Sequence, residues 1–257
     1  MRMHHAHIDK FAYSDSPIHR LDSRVKLLAV AVFTVFVLAV PRYSVSVLAC
    51  YAIGPFVMLV VGHIPLRFVL RHILTVSPFV LVLAASCPLY NREVMGVEFG
   101  PFSWTIGRGW VQFANILGKF IITMAALITL VCTTRFSDLL AGMAKMGMPQ
   151  VLVNQLGFLY RYIFVLIDKA HHILRARSSR KLRNLGFTTE SKTAGAMIGT
   201  LFILSLESSE RINIAMQARG FDGEFRTINK LQMRKADFLF VAIATIFLLG
   251  IGIWRLQ

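Results

Sequence analysis

The sequence predicts an all-α integral membrane protein, with about five transmembrane helices and a cytoplasmic helical domain between the fourth and the fifth. Three observations carry that expectation. Hydrophobic residues make up 56% of the 257-residue chain, and mean hydropathy is +0.62. Charged residues make up only 16%, against about a quarter in a soluble domain. The apolar residues also come in blocks near the roughly 20 residues that cross hydrocarbon. The net charge of +15 lies largely outside those blocks. A nucleic-acid module spreads its basic residues over a water-soluble fold, so the segregation excludes nucleic acid and makes the lipid bilayer the partner.

Residues 1–24 form a polar amino-terminal segment containing Ser16-Pro17. Asp22 is placed to cap the first helix, since its carboxylate can accept the free amides of the first turn. Residues 25–134 form a region of four transmembrane helices. Val25 to Val40 is the first span, Pro41-Arg42-Tyr43 a hinge, and Ser44 to Val61 the second span, where Gly54-Pro55 predicts a kink. Phe68 to Leu89 is the third, with Pro78 inside it. Asn91 to Trp110 reads as a glycine-rich loop with Trp104 and Trp110 as interfacial anchors. Val111 to Thr134 is the fourth span. The first block follows a segment holding Asp9, Asp15 and Asp22, with no small-residue cleavage pattern, so it is expected to be retained rather than cleaved as a signal.

Residues 135–236 change character. Arg135 to Lys235 holds 16 Lys and Arg against 7 Asp and Glu, nine of the fifteen net positive charges. Two apolar helical segments, Val151 to Ile173 and Ala194 to Ala218, are interrupted by charge and suit packing or an interface better than spanning. Residues 237–257 supply the last transmembrane helix, from Phe238 to Trp254. The positive-inside rule puts the amino terminus, the Arg67/Arg71 loop and the basic domain on the cytoplasmic side of a multi-pass cell-membrane protein.

Absences narrow the chemistry. No Asp or Glu occurs in the four spans before Arg135, and Lys119 is their only interior charge, whereas ion-coupled transporters rely on intramembrane ionisable groups. Gly118-Lys119 does not end a phosphate-binding loop, because Phe113 occupies the place of the earlier glycine. The chain is therefore expected to be no enzyme, with no catalytic residues and no cofactor. Cys50, Cys87 and Cys132 sit in or beside apolar runs, at spacings that fit neither a zinc site nor a disulfide framework. His4, His5 and His7 can hold a transition ion weakly but have no acidic or thiol partner nearby, and His171-His172 cannot share a helix face. No metal site is expected.

Two basic motifs remain, Arg175-Ala-Arg-Ser-Ser-Arg-Lys-Leu-Arg183 and Ala215-Met-Gln-Ala-Arg-Gly-Phe-Asp-Gly223. In the first, Arg177 and Arg180 share a helix face, and Gly186 is placed to end that helix. In the second, Glu207 and Arg211 are spaced for an intrahelical pair, and Arg219 falls on the last turn with Gly220 as its left-handed cap. Both read as helix ends presenting an arginine, whose planar fork suits a carboxylate. The alternative is that these arginines rest on anionic lipid headgroups.

The second motif, together with the entry Asp9-Lys-Phe-Ala-Tyr-Ser-Asp-Ser-Pro-Ile-His-Arg-Leu-Asp-Ser-Arg-Val-Lys26 and the stretch Leu159-Tyr-Arg-Tyr-Ile-Phe-Val-Leu-Ile-Asp-Lys-Ala-His-His172, resembles the transmembrane T component of energy-coupling factor transporters, CbiQ type, over nearly the whole chain. The resemblance implies a non-catalytic coupling subunit of a cobalt or nickel importer. Its implied partners are two ATP-binding cassette ATPase subunits and a substrate-binding membrane S component, which captures the metal. It also implies two Arg signatures, each docking in a groove of one ATPase. Ala218-Arg219-Gly220 matches the second. The first departs from the small-Arg-Gly pattern: Ser179-Arg180-Lys181 is the favoured register and Ala176-Arg177-Ser178 the other. A T component serving a vitamin importer and a stand-alone secondary transporter or channel are the rival readings.

Overall fold

A computed structural model describes residues 16–41, 43–90, 94–99, 102–180, 186–223 and 235–254. In chain order they form α1 (Ser23–Leu38), α2 (Val45–Val61), α3 (Leu66–Tyr90), β1 (Val94–Phe99), β2 (Phe102–Gly107), α4 (Arg108–Thr133), α5 (Phe136–Lys145), α6 (Gln150–Arg180), α7 (Phe187–Ala218) and α8 (Lys235–Trp254). The described residues divide into two compact units: α6 with α7, and a frame of the remaining helices with the hairpin.

The helix ends follow local chemistry. Asp22 caps α1 by accepting the Arg24 amide at 3.0 Å. Helix α2 continues through Pro55 and ends at Gly62. There His63 takes the left-handed turn at φ 51°, and the amides of His63 and Ile64 donate back to Val60 and Leu59. Gly147, at φ 96°, and Pro149 separate α5 from α6.

Within the frame, α4 is the central helix. One apolar cluster joins Val37 and Val40, Val47, Leu48 and Tyr51 of α2, Ile122 of α4 and Leu248 of α8. A second joins Leu59, Ile64 and Val69 to Ala125 and Cys132 of α4. Gly118 lets α4 approach α2, since a Cβ there would stand 2.5 Å from Leu48 Cδ2. The outward faces stay apolar: Val35, Phe56, Leu74, Phe79 and Val82 are all exposed. A helical frame with apolar residues on its outside as well as its inside is a membrane protein.

Three expectations change. The Asn91–Trp110 loop holds an antiparallel hairpin, with Val94 opposite Gly107, Trp104 opposite Val97 and Phe99 opposite Phe102. Phe102, Trp104 and Ile106 alternate with smaller or polar residues at the period of a strand, a signal masked by the surrounding glycines. Gly186 does not end α6. It is the N-cap of α7. The spans also differ: among the described residues, α3, α4, α6 and α8 are long and apolar enough to cross a membrane. Helices α1 and α2, of 16 and 17 residues, are about 24–26 Å long at the α-helical rise, short of the roughly 30 Å hydrocarbon core. Helix α6 joins the set by length and composition alone, with Arg161 and Asp168 inside it.

The interior lysine of α4 has a role in the fold of the frame. Lys119 Nζ donates to the carbonyls of Leu38, at 3.0 Å, and Val40, at 2.6 Å. One turn earlier on the same face, Asn115 Nδ2 donates to Pro41 O at 3.3 Å. A helix leaves its last carbonyls without intrahelical donors, and a cation at that end also suits the helix dipole.

Candidate functional site

The two arginine motifs lie in the α6–α7 unit. Among the described residues only Phe164 of α6 is fully buried there, and α7 has no buried residue. A closed apolar core therefore does not hold the pair together; polar ties do. Asn154 Nδ2 donates to the Gly223 carbonyl. Lys169 Nζ donates to Ser208 Oγ and to the Leu204 carbonyl. Arg177 Nη2 pairs with Glu190 Oε2 at 2.8 Å. As the number rises along α6 it falls along α7, so the helices run antiparallel. A cavity of about 780 Å³ opens between them, lined by Val151, Phe158, Tyr162, Ile212, Met216 and Phe221 among others.

This arrangement separates the two motifs. Arg180 is the last residue of α6, and Arg219 caps the end of α7 beside the start of α6. The 31 residues of α6 put the two helix ends on the order of 45 Å apart along the unit, at 1.5 Å per residue.

The second motif is a well-formed helix end. Ala218 is the last helical residue, and Arg219 follows at φ −95° and ψ 10°. The Gly220 amide donates to Gln217 O at 3.0 Å and the Phe221 amide to Met216 O at 3.1 Å, the paired bonds of a Schellman motif. Gly220 has φ 75° with open space where a Cβ would go, so backbone conformation and not crowding calls for glycine. Arg219 is exposed and has no ion-pair partner among the described residues. It projects its charge from a base that the helix end and the Asn154–Gly223 bond hold in place.

The first motif divides by exposure. Arg177 is tied to Glu190 with a quarter of its side chain exposed. Arg180 is exposed and without an ion-pair partner among the described residues. Ser178 and Ser179 donate their hydroxyls to the Arg175 carbonyl, at 2.8 and 3.1 Å. Lys181 lies outside the described residues. Glu207 and Arg211 approach to 3.7 Å on the exposed face of α7, the spacing their positions predict. The three ties between α6 and α7 were not read from the sequence. The bare acid Glu190 near the start of α7 was their one visible sign.

No group of three or more His, Cys, Asp or Glu is placed to hold a metal ion among the described residues. His171 and His172 are both exposed, and the His4, His5 and His7 tract lies outside the described residues.

Known proteins resemble the chain over the same span. The family model described as cobalt transport protein, CbiQ, matches residues 14–230. The chain is 30% identical to the energy-coupling factor transporter transmembrane protein EcfT of Bacillus selenitireducens, over 93% of each chain. It is 27% identical to the EcfT of Heliobacterium modesticaldum, over 94% of each. The nickel permease LarQ of Lactiplantibacillus plantarum is 27% identical over 60% of this chain and 55% of its own. The family match runs through the frame helices α1 to α5 and through both arginine-bearing helix ends, and on that extent the chain belongs to the CbiQ cobalt transport protein family.

Proposed function

We propose that the chain is the non-catalytic transmembrane coupling subunit of an ATP-driven energy-coupling factor importer. The observation that carries this reading is the pair of exposed arginines, Arg180 and Arg219, at opposite ends of one antiparallel helix pair. Each fits an acidic groove on one of two ATPase subunits. Closure of the ATPases on ATP moves the two helix ends, and α7 passes that motion to a substrate-binding membrane subunit. Residues 135–236 act as the cytoplasmic coupling domain, residues 25–134 and 237–257 as its membrane anchor, and the amino terminus is cytoplasmic. Cobalt or nickel is the cargo. Support for a metal comes from the family's description and from the name of the nickel permease relative.

Vesicles test this directly. The chain reconstituted alone is expected to pass no metal ions, and the chain with its ATPase and substrate-binding subunits to accumulate them only with ATP. Ion flux through the chain alone overturns the reading in favour of a stand-alone transporter.

The Arg177–Glu190 pair supports reading Arg180 as the first docking arginine. A partly exposed pair of this kind contributes about 0.5–1 kcal/mol, enough to set the end of α6 without deciding the fold. Arg177→Glu is expected to weaken ATPase capture, and the double variant Arg177→Glu/Glu190→Arg to restore it. Arg180→Glu is expected to abolish capture, with no rescue from Glu190→Arg. Capture surviving Arg180→Glu reverses the assignment.

A further inference from the structure

The amino-terminal motif takes no part in the docking described above, yet the most buried charges among the described residues of the frame meet at it. Lys26 is 2% exposed, Asp22 6% and Asp237 2%. Lys26 Nζ donates to the Thr133 carbonyl at the end of α4 at 2.9 Å, and to the His19 carbonyl at 3.3 Å. The Asp22 amide donates to Asp237 Oδ1 in the first turn of α8 at 2.8 Å. Ser23 Oγ donates to the Asp138 carbonyl of α5 at 2.7 Å. Four elements therefore meet at the start of α1, and the Lys26 ammonium lies within electrostatic reach of Asp22, Asp138 and Asp237.

The chain order gives this knot a mechanical meaning. The chain leaves the frame for the α6–α7 unit just after α5 and re-enters it at α8. Residues 22–26 hold both of those frame elements, α5 through Ser23 and α8 through Asp22. Lys26 fastens the end of α4 that leads into α5. A buried ammonium held by two backbone carbonyls is a stiff joint, because pulling it free leaves a buried charge without its hydrogen bonds. An apolar contact yields more gradually.

We propose that Asp22, Ser23 and Lys26 form the fixed anchor against which the coupling unit works, staying closed through the transport cycle while both connections to α6–α7 pull on it. This rests on the coupling-subunit reading. Lys26 and Asp22 are positioning residues: they touch neither the cargo nor the ATPases, and they act by keeping the exit at α5 and the return at α8 in fixed register.

A disulfide tests whether the knot stays closed. A Cβ on Gly142 of α5 would stand 3.5 Å from Ser23 Cβ and 2.9 Å from Ser23 Oγ, within the Cβ separation of about 3.5–4.5 Å that a disulfide spans. Ser23→Cys/Gly142→Cys, with Cys50, Cys87 and Cys132 replaced by alanine, is expected to cross-link in the assembled complex. ATP-driven uptake is then expected to be the same in the oxidised and the reduced complex. In parallel, Lys26→Met removes the ammonium that fastens the end of α4 and is expected to lower uptake per ATP hydrolysed by about tenfold or more, with ATPase capture retained and Lys26→Arg restoring the ratio. Uptake blocked by the cross-link and recovered on reduction makes the knot a moving joint and overturns the anchor. Failure of the disulfide to form, or an unchanged ratio in Lys26→Met, overturns it too. If the unmodified complex shows no ATP-driven uptake, it is the coupling reading itself that fails.

Discussion

Arg219→Glu is expected to leave the chain inserted and folded while abolishing ATPase co-purification and ATP-driven uptake. The folded state tolerates the change, because Arg219 is exposed, has no ion-pair partner among the described residues and follows the last helical residue, Ala218. A negative charge at a helix C-terminus costs only about 0.3–1 kcal/mol. The docked state does not tolerate it. An arginine seated in an acidic groove contributes through charge-assisted, two-pronged bonds, and truncating one partner of a buried charge pair costs about 2–5 kcal/mol. Reversal adds repulsion, so capture falls by two orders of magnitude or more, read as ATPase retained on the affinity-purified chain. Arg219→Lys keeps the charge without the fork and is expected to fall between the two. Gly220→Ala separates geometry from charge: the φ of 75° costs an L-residue roughly 1 kcal/mol, which tilts the arginine without removing it. Full capture by Arg219→Glu would return the motif to the lipid-headgroup reading.

What the sequence made legible is what depends on neighbours along the chain. Helices α4 and α8 appear as long, mainly apolar runs, Asp22 as a cap two residues before the amide it accepts, and the Arg219-Gly220 end as a glycine just past the last periodic residue. Each rests on contacts within about five positions. The parts that escaped depend on distant partners or on backbone atoms. Glu190 meets Arg177 across 13 positions, from one helix to the next, and an acid in the first turn of a helix is already explained by the dipole. The Asn154, Lys119 and Lys26 bonds all end on carbonyl oxygens, which every residue carries, so no side-chain pattern marks the acceptor. Gly186 was ambiguous in kind. A glycine between two helices serves equally as the stop of one or the start of the next, and only the placement of the Thr189 and Glu190 amides, each 3.0 Å from Gly186 O, decides for the start.

Lys119→Met is expected to destabilise the frame without altering which ion is carried, and it separates a coupling subunit from a transporter that binds its ion inside the membrane. A lone lysine deep in a span is by default a functional residue. Here its ammonium is committed to two carbonyls at the end of α1, at 3.0 and 2.6 Å, while Asn115 holds the next carbonyl of the same turn. In hydrocarbon no water replaces a lost donor. Hydrogen bonds to charged groups contribute about 1.5–3 kcal/mol each, so losing both, offset by the better packing of methionine, lowers stability by about 2–4 kcal/mol. For a chain of this size that corresponds to a fall in thermal midpoint of about 5–10 °C, measured in detergent or nanodiscs. Because the carbonyls accept from any cation of suitable reach, Lys119→Arg is expected to recover much of the loss. Uptake by the folded fraction of Lys119→Met, in complex with its partners, is expected to keep its ion preference and its ATP dependence. A metal-ligating lysine behaves in the opposite way: the methionine variant loses transport while its thermal midpoint holds or rises, since methionine replaces a buried neutral amine whose lone pair only the metal satisfies. The two measurements thus move in opposite directions for a strut and for a ligand, and a stable but inactive Lys119→Met would move the cargo pathway into this chain.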